Sequence, residues 1–468
     1  MIQSYLRRLP WGWLLLTTLL LMSAAFYNGF PLVTSDSGAY IYSGMSLTVP
    51  ADRPLTYGLF LRVFSLKHSL WGPVLVQSLL LAYVLWRSVQ VFVPRLRSHA
   101  ARFALLAAVV WASGIAWFSG QLMPDVFTPI GVLALALLVW GQPLALAERV
   151  VLGGLLLLAS LMHSSNLLTY TLLLGVVAAG GWVVGAVRRW MPWRRLAAAA
   201  ALVAAAWVAL PGLHAAFGGG FTVSSGSHVF LMGKLVETGV LDRFLADNCA
   251  DGQYRLCAFR DKLPNNAIDF IWSGNSPLAQ TGGWDANRAE YRSIIGRVLL
   301  SPRYYPVLLE EAAQGTARQL THVAHGDGLT PFLDNTNPFW KIQESFPFEL
   351  KEYTNSQQNR GALQFEDLTS RSYLVLGLSA LLLLGVLTTA YLRHALPAGL
   401  LGWALTLVAA VVLNAFTTAN LANVLDRLQT RVAWVSVLAA AALLVEVWPR
   451  IRPRVPLPAV PAEAEAVS

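Results

Sequence analysis

Apolar blocks of about twenty residues recur along this chain, and that spacing constrains the fold more than any motif. A helix of that length crosses roughly 30 Å of hydrocarbon. Hydrophobic residues make up 56% of the 468 and charged residues only 13%, about half the charged share of a soluble domain. The chain reads as an all-α polytopic membrane protein. Basic residues collect in cytoplasmic loops, which orients the spans.

The first span is about 11–30, behind Arg7 and Arg8. It reads as a retained signal anchor. Further spans follow at about 71–92, 103–119, 126–140, 149–162, 167–187 and 196–216, then at 373–391, 397–416 and 432–448. About ten transmembrane helices place both termini in the cytoplasm, as expected for a bacterial inner membrane protein. Residues 1–216 form an N-terminal membrane module and 373–448 a C-terminal one. Between them, 217–372 is expected to be a mostly helical, loop-rich periplasmic subdomain. The Pro/Ala-rich tail, 449–468, reads as disordered.

Charge is spread unevenly. Segment 217–372 holds 14 Lys/Arg and 17 Asp/Glu and is net acidic, so the basic surplus lies entirely in the rest, with 20 Lys/Arg against 8 Asp/Glu. Topology accounts for that surplus, and no basic helix or zinc-finger spacing points to nucleic acid. Cys249 and Cys257 are the two cysteines. On the outer side they could pair as a disulfide, although spacing leaves two free thiols open. The run Asn287 to Gln319 shows helical spacing, with a break expected at Ser301-Pro302.

Charges beside hydrocarbon are costly and usually functional. The topology places Asp36, Asp52, Asp125 and Asp426 at one membrane face. Asp36, in Ser-Asp-Ser-Gly-Ala-Tyr, suits a general base, or a helix N-cap. Asp125, after Pro124, reads as a second acid or another cap. His163 ends the fifth span. Arg53, Arg427 and Arg431 lie outside, where the positive-inside bias disfavours them, and guanidinium matches phosphate; headgroup snorkelling is the competing account. His322, His325 and Asp327 form no recognised zinc pattern and read as a solvated loop.

Four motifs, two of them in the first outer loop (31–70), resemble the glycosyltransferase C superfamily, polytopic enzymes that take sugar from a polyprenyl-phosphate carrier. The motifs are Asp36 in Thr-Ser-Asp-Ser-Gly-Ala-Tyr-Ile, Arg53-Pro54-Leu55-Thr56-Tyr57, Met123-Pro124-Asp125-Val126-Phe127, and Asp426-Arg427 with Gln429 and Arg431. The resemblance implies inverting transfer of a sugar to a periplasmic or lipid-linked acceptor. Asp36 and Asp125 would be catalytic, and Arg53, Tyr57, His163, Arg427, Gln429 and Arg431 would bind substrate. No cofactor is required, since arginine can neutralise the phosphate leaving group, and a divalent cation on the two acids stays open. Partners are a polyprenyl-phosphate-linked sugar and membrane lipid. A transporter or flippase of a lipid-linked sugar, and a non-catalytic envelope assembly protein, are the alternatives.

Overall fold

The computed structural model describes residues 2–183, 188–250, 253–392 and 397–451. Most of the tail and the inner turn bearing Arg393 lie outside these. Among the described residues the chain is all-helical, without strands. After a short N-terminal turn of helix (Ile2–Leu6), apolar helix α1 (Trp11–Leu21) enters the bundle, and the stretch read as the first outer loop folds into two more, α2 (Ser37–Ser46) and α3 (Thr56–Ser65). The first half of the bundle continues with α4 (Trp71–Phe92), α5 (His99–Ser113), α6 (Phe127–Trp140), α7 (Leu146–Met162), α8 (Ser164–Val183) and α9 (Trp193–Ala216).

Among the described residues six helices are long and apolar enough to cross a membrane: Trp71–Phe92, Ser164–Val183, Trp193–Ala216, Glu366–Thr389, Ala398–Leu421 and Asp426–Val447. That is the pattern of a multi-pass membrane protein. The four other expected spans correspond to shorter helices. Trp11–Leu21, His99–Ser113 and Pro124–Trp140 are apolar, and Leu146–Met162 has 17 residues. Local chemistry explains one of these breaks. Gly114 ends α5 in a left-handed conformation at φ 63°, which glycine adopts without steric cost. A β-carbon there would also stand 2.3 Å from the His325 ring.

The core is centred on α6, whose residues are almost all buried. It packs against α4, α7 and a later span, α15 below. Between α2 and α3 the backbones nearly touch. A β-carbon on Gly44 would lie 2.1 Å from the carbonyl oxygen of Gly58. Tyr40 and Tyr57 meet edge-on beside that crossing, 5.1 Å apart.

Segment 217–372 has two parts. Helix α10 (Ser227–Glu237), α11 (Arg288–Leu300) and the start of α12 (Tyr305–Thr321) close around a separate core of Val229, Phe244, Tyr291 and Ile294. The chain breaks at Ser301-Pro302, as expected. Cys249 and Cys257 form a disulfide. The second part, with α13 (Asn337–Ser345), joins the main core through Leu329, Ile342, Phe346 and Tyr353. Gln358 fastens it there, donating to the Val33 and Thr330 carbonyls while its side-chain oxygen accepts from the Val33 amide. The chain ends in α14 (Glu366–Leu392), α15 (Ala398–Leu421), α16 (Asp426–Ala433) and α17 (Val435–Ile451).

Candidate functional site

Two short turns are stitched together before any charged group enters. The Leu32 amide donates to the Gly120 carbonyl at 2.9 Å, and the Leu122 amide donates to the Leu32 carbonyl at 2.8 Å. Ser37 Oγ donates to the Leu122 carbonyl at 3.1 Å. These bonds set the turn bearing Asp36 beside the turn bearing Asp125. Both turns lie at the N-terminal end of α6, the end at which α15 finishes and α16 begins.

Asp36 occupies the N-cap position of α2, but its side chain makes no capping hydrogen bond. Its carboxylate lies between two guanidinium groups. Oδ1 accepts from Arg53 Nη2 at 3.1 Å, and Oδ2 accepts from Arg427 Nη2 at 2.8 Å. Burial works against ionisation here, but the adjoining Arg53 and Arg427 outweigh it and hold the Asp36 carboxyl at about 2. The group is therefore a carboxylate at neutral pH.

The two arginines are bound differently. Arg53 also donates from Nε to Asp52 Oδ2 at 2.9 Å, and its guanidinium lies over the Tyr40 ring, 5.0 Å from the centroid. Arg427 is fixed through its backbone, the amide donating to Asp327 Oδ2 at 3.1 Å. Among the described residues nothing accepts from its Nε or Nη1. Arg427 thus keeps an unspent donor edge on a side chain 20% exposed.

One helical turn along α16, Arg431 makes a second pair. Its Nη1 donates to Asp125 Oδ1 at 2.7 Å, with the two side chains 0% and 3% exposed. Arg431 Nη2 donates to Asn414 Oδ1 and Ser165 Oγ at 3.2 and 3.3 Å. The Ser165 amide donates to His163 Nδ1 at 3.2 Å, and Ser165 Oγ lies 2.7 Å from the same atom. His163 Nδ1 is therefore the acceptor, and Nε2 carries the ring proton. Burial, with Arg431 nearby, pushes the imidazole down to about 3, so it is neutral. Among the described residues, Asp125 Oδ2 and Arg431 Nε are buried without hydrogen-bond partners.

The sequence-predicted residues therefore separate. Asp36, Arg53 and Arg427 form one cluster; Asp125, Arg431 and His163 form its neighbour. Tyr57 and Gln429 turn into packing instead. Tyr57 is fully buried, with its hydroxyl donating to Gln77 Oε1 at 3.1 Å. Gln429, also fully buried, donates to the Val411 carbonyl and accepts from Asn414 Nδ2. Asp426 accepts the Ala324 amide at 2.9 Å. Neither cluster lines the cavity of about 320 Å³ bounded by Phe92, Trp140, Trp190 and Leu400, at the other end of α6.

Loop 322–328 is docked where a solvated loop was expected. His325 is buried, its Nε2 lying 2.7 Å from Ser372 Oγ, and Asp327 holds the start of α16. Among the described residues no group of three or more His, Cys, Asp or Glu side chains gathers as a metal site. Three partners escaped the sequence reading: Tyr40, Ser165 and Asn414. Asn414 carried a usable signal, an amide inside an apolar span. The other two are ordinary residues of turns and helix starts.

Compared with protein-family models, curated proteins and solved structures, the chain matches none.

Proposed function

We propose that this chain is an inverting membrane glycosyltransferase that moves a sugar from a polyprenyl-phosphate carrier to a periplasmic or lipid-linked acceptor. The observation that carries the reading is the carboxylate of Asp36 beside the unspent donor edge of Arg427. One group can accept a proton, and the other can bind a phosphate, within one ion-pair length of each other. In the reaction, an acceptor hydroxyl attacks the anomeric carbon as its proton passes to Asp36. The bond from that carbon to the phosphate oxygen breaks, and its electron pair leaves on the phosphate. Arg427 stabilises the departing charge. Arg53 keeps Asp36 in place, while Asp125, Arg431 and His163 form a rigid polar wall behind the pair.

The basic short loops support an inner-membrane location with both termini cytoplasmic and this cluster on the periplasmic side. No cofactor is needed for the step as written.

The full chain, reconstituted in liposomes, would be given a panel of polyprenyl-phosphate sugars. Release of polyprenyl phosphate would be followed by chromatography. Wild type is expected to consume one donor class, and Asp36→Asn to lose turnover by roughly 10²–10⁴-fold, the usual contribution of a general base. Equal turnover by Asp36→Asn, or no consumption of any donor, would sink the reading.

A further inference from the structure

We infer that Asp36 is a built-in stand-in for the substrate phosphate: it occupies Arg427 while the site is empty, and the arriving phosphate takes Arg427 away and so releases the carboxylate to act. This rests on the reading of Arg427 as the phosphate ligand given above.

The asymmetry of the two arginines argues for it. Arg53 is committed on every side. It donates to Asp52 through two nitrogens and to Asp36 through Nη2, and it lies over Tyr40. Its own loop is held as well, because the Ala51 carbonyl accepts from the Gly226 amide at 2.8 Å and from Ser224 Oγ at 3.1 Å. Arg427 gives Asp36 one nitrogen only. Its backbone is anchored to Asp327, so the side chain can pivot while the helix start stays still. Beside Nη1 lies Gly328, where even an added β-carbon would stand 4.0 Å away. Gly328 thus sets no side chain against that edge of the guanidinium.

Charge balance gives the exchange its direction. Asp36, Asp52, Arg53 and Arg427 together sum to zero. A phosphate drawn onto Arg427 leaves the group with excess negative charge. A proton on Asp36 relieves that excess, and the acceptor hydroxyl is the group that supplies one. In the resting arrangement two guanidiniums suppress the basicity of the carboxylate; with Arg427 on phosphate, one of them is gone. The base is thereby armed only when the donor is seated, which disfavours activation of an acceptor without a donor.

The consequence is a competition measurable by binding alone. A ligand that must displace a carboxylate from Arg427 binds more weakly than one that meets a neutral residue at position 36. Farnesyl phosphate would be titrated into full-length protein in nanodiscs, with farnesol as the uncharged control. Asp36→Asn and the smaller Asp36→Ser, each checked for folding by thermal melting, are expected to bind farnesyl phosphate roughly tenfold more tightly than wild type. Arg427→Gln is expected to lose that binding, and farnesol is expected to bind all variants alike. If both position-36 variants bind farnesyl phosphate no more tightly than wild type while Arg427→Gln still loses it, the stand-in is overturned and the phosphate site stands. If Arg427→Gln binds like wild type, the phosphate site and the stand-in both fall.

Discussion

Asp36 and Arg427 stand 391 residues apart along the chain and 2.8 Å apart in the fold. The contact forms because α16 begins at the same end of the bundle as the turn following the first apolar helix. Arg431, one turn further along α16, closes on Asp125 in the same manner. One short helix thus reads two acids from distant parts of the sequence. It places an open ion pair beside a sealed one.

The open pair predicts a split between charge and shape at Arg427. Lysine keeps the charge but loses the planar fork that fits a phosphate. Arg427→Lys is expected to raise the donor KM about tenfold with a smaller change in kcat, and Arg427→Gln to reduce both kcat and kcat/KM. Steady-state kinetics across donor concentration separate these outcomes. Equal KM for arginine and lysine would remove bidentate recognition from the account.

The sealed pair predicts a stability effect. Removing one partner strands a buried charge at a cost of roughly 3–5 kcal/mol, whereas replacing both by apolar residues is far milder. Asp125→Ala should therefore lower the unfolding midpoint sharply in detergent, and Asp125→Leu with Arg431→Met should recover most of the loss. A double variant as unstable as the single one would contradict this.

Close backbone approach predicts a second stability effect, seated beside the site. A β-carbon on Gly58 would meet Ser43 Oγ at 2.4 Å and the Gly44 nitrogen at 2.7 Å, so α2 and α3 must part. Gly58→Ala is expected to cost about 1–3 kcal/mol, as overpacking does. Gly154→Ala, in a helix with nothing within 4 Å, should be neutral or stabilising by about 0.4–1 kcal/mol. Thermal melting of the two variants side by side makes the comparison.

Titration predicts loss of stability in acid. His163, facing Arg431, Asp125, Arg53 and Arg427, is held down to about 3 by burial first and Arg431 second. His325, facing Arg371 and Ser372, is held to about 4 by burial first and Arg371 second. The unfolded chain protonates both near 6.5, so it binds more protons than the folded one below that pH, and stability falls as pH drops. The His163 contribution is lost between about 6.5 and 3, and the His325 contribution between about 6.5 and 4. Asp36 adds the same sign lower down, from 3.8 to about 2. The melting temperature should decline from pH 7 to pH 4, less steeply in His163→Gln and His325→Gln. An unchanged slope in both variants would place the titrating groups elsewhere.

Much of the helical framework was legible because hydropathy is a local, additive property. The span from Trp71 to Phe92 and the break at Ser301-Pro302 follow from residues that lie next to one another. The expected first outer loop was less legible. Two helices form there because Gly44 and Gly58 permit their backbones to touch, and neither glycine announces its partner. His325 illustrates the same limit: its surroundings read as a polar loop, but Ser372 and Gly114 bury it from distant segments.

By itself the sequence determined that the chain would be helical and apolar enough to cross a membrane several times, and that its few span-end charges would be costly unless used or paired. Tertiary structure alone decided the pairings. It gave Asp36 to two arginines and Asp125 to Arg431, left one edge of Arg427 open, and turned Tyr57 and Gln429 inward. The physical reason is range. Hydropathy sums over neighbours in the chain, whereas an ion pair needs two atoms about 3 Å apart, and that distance exists only after the helices have packed.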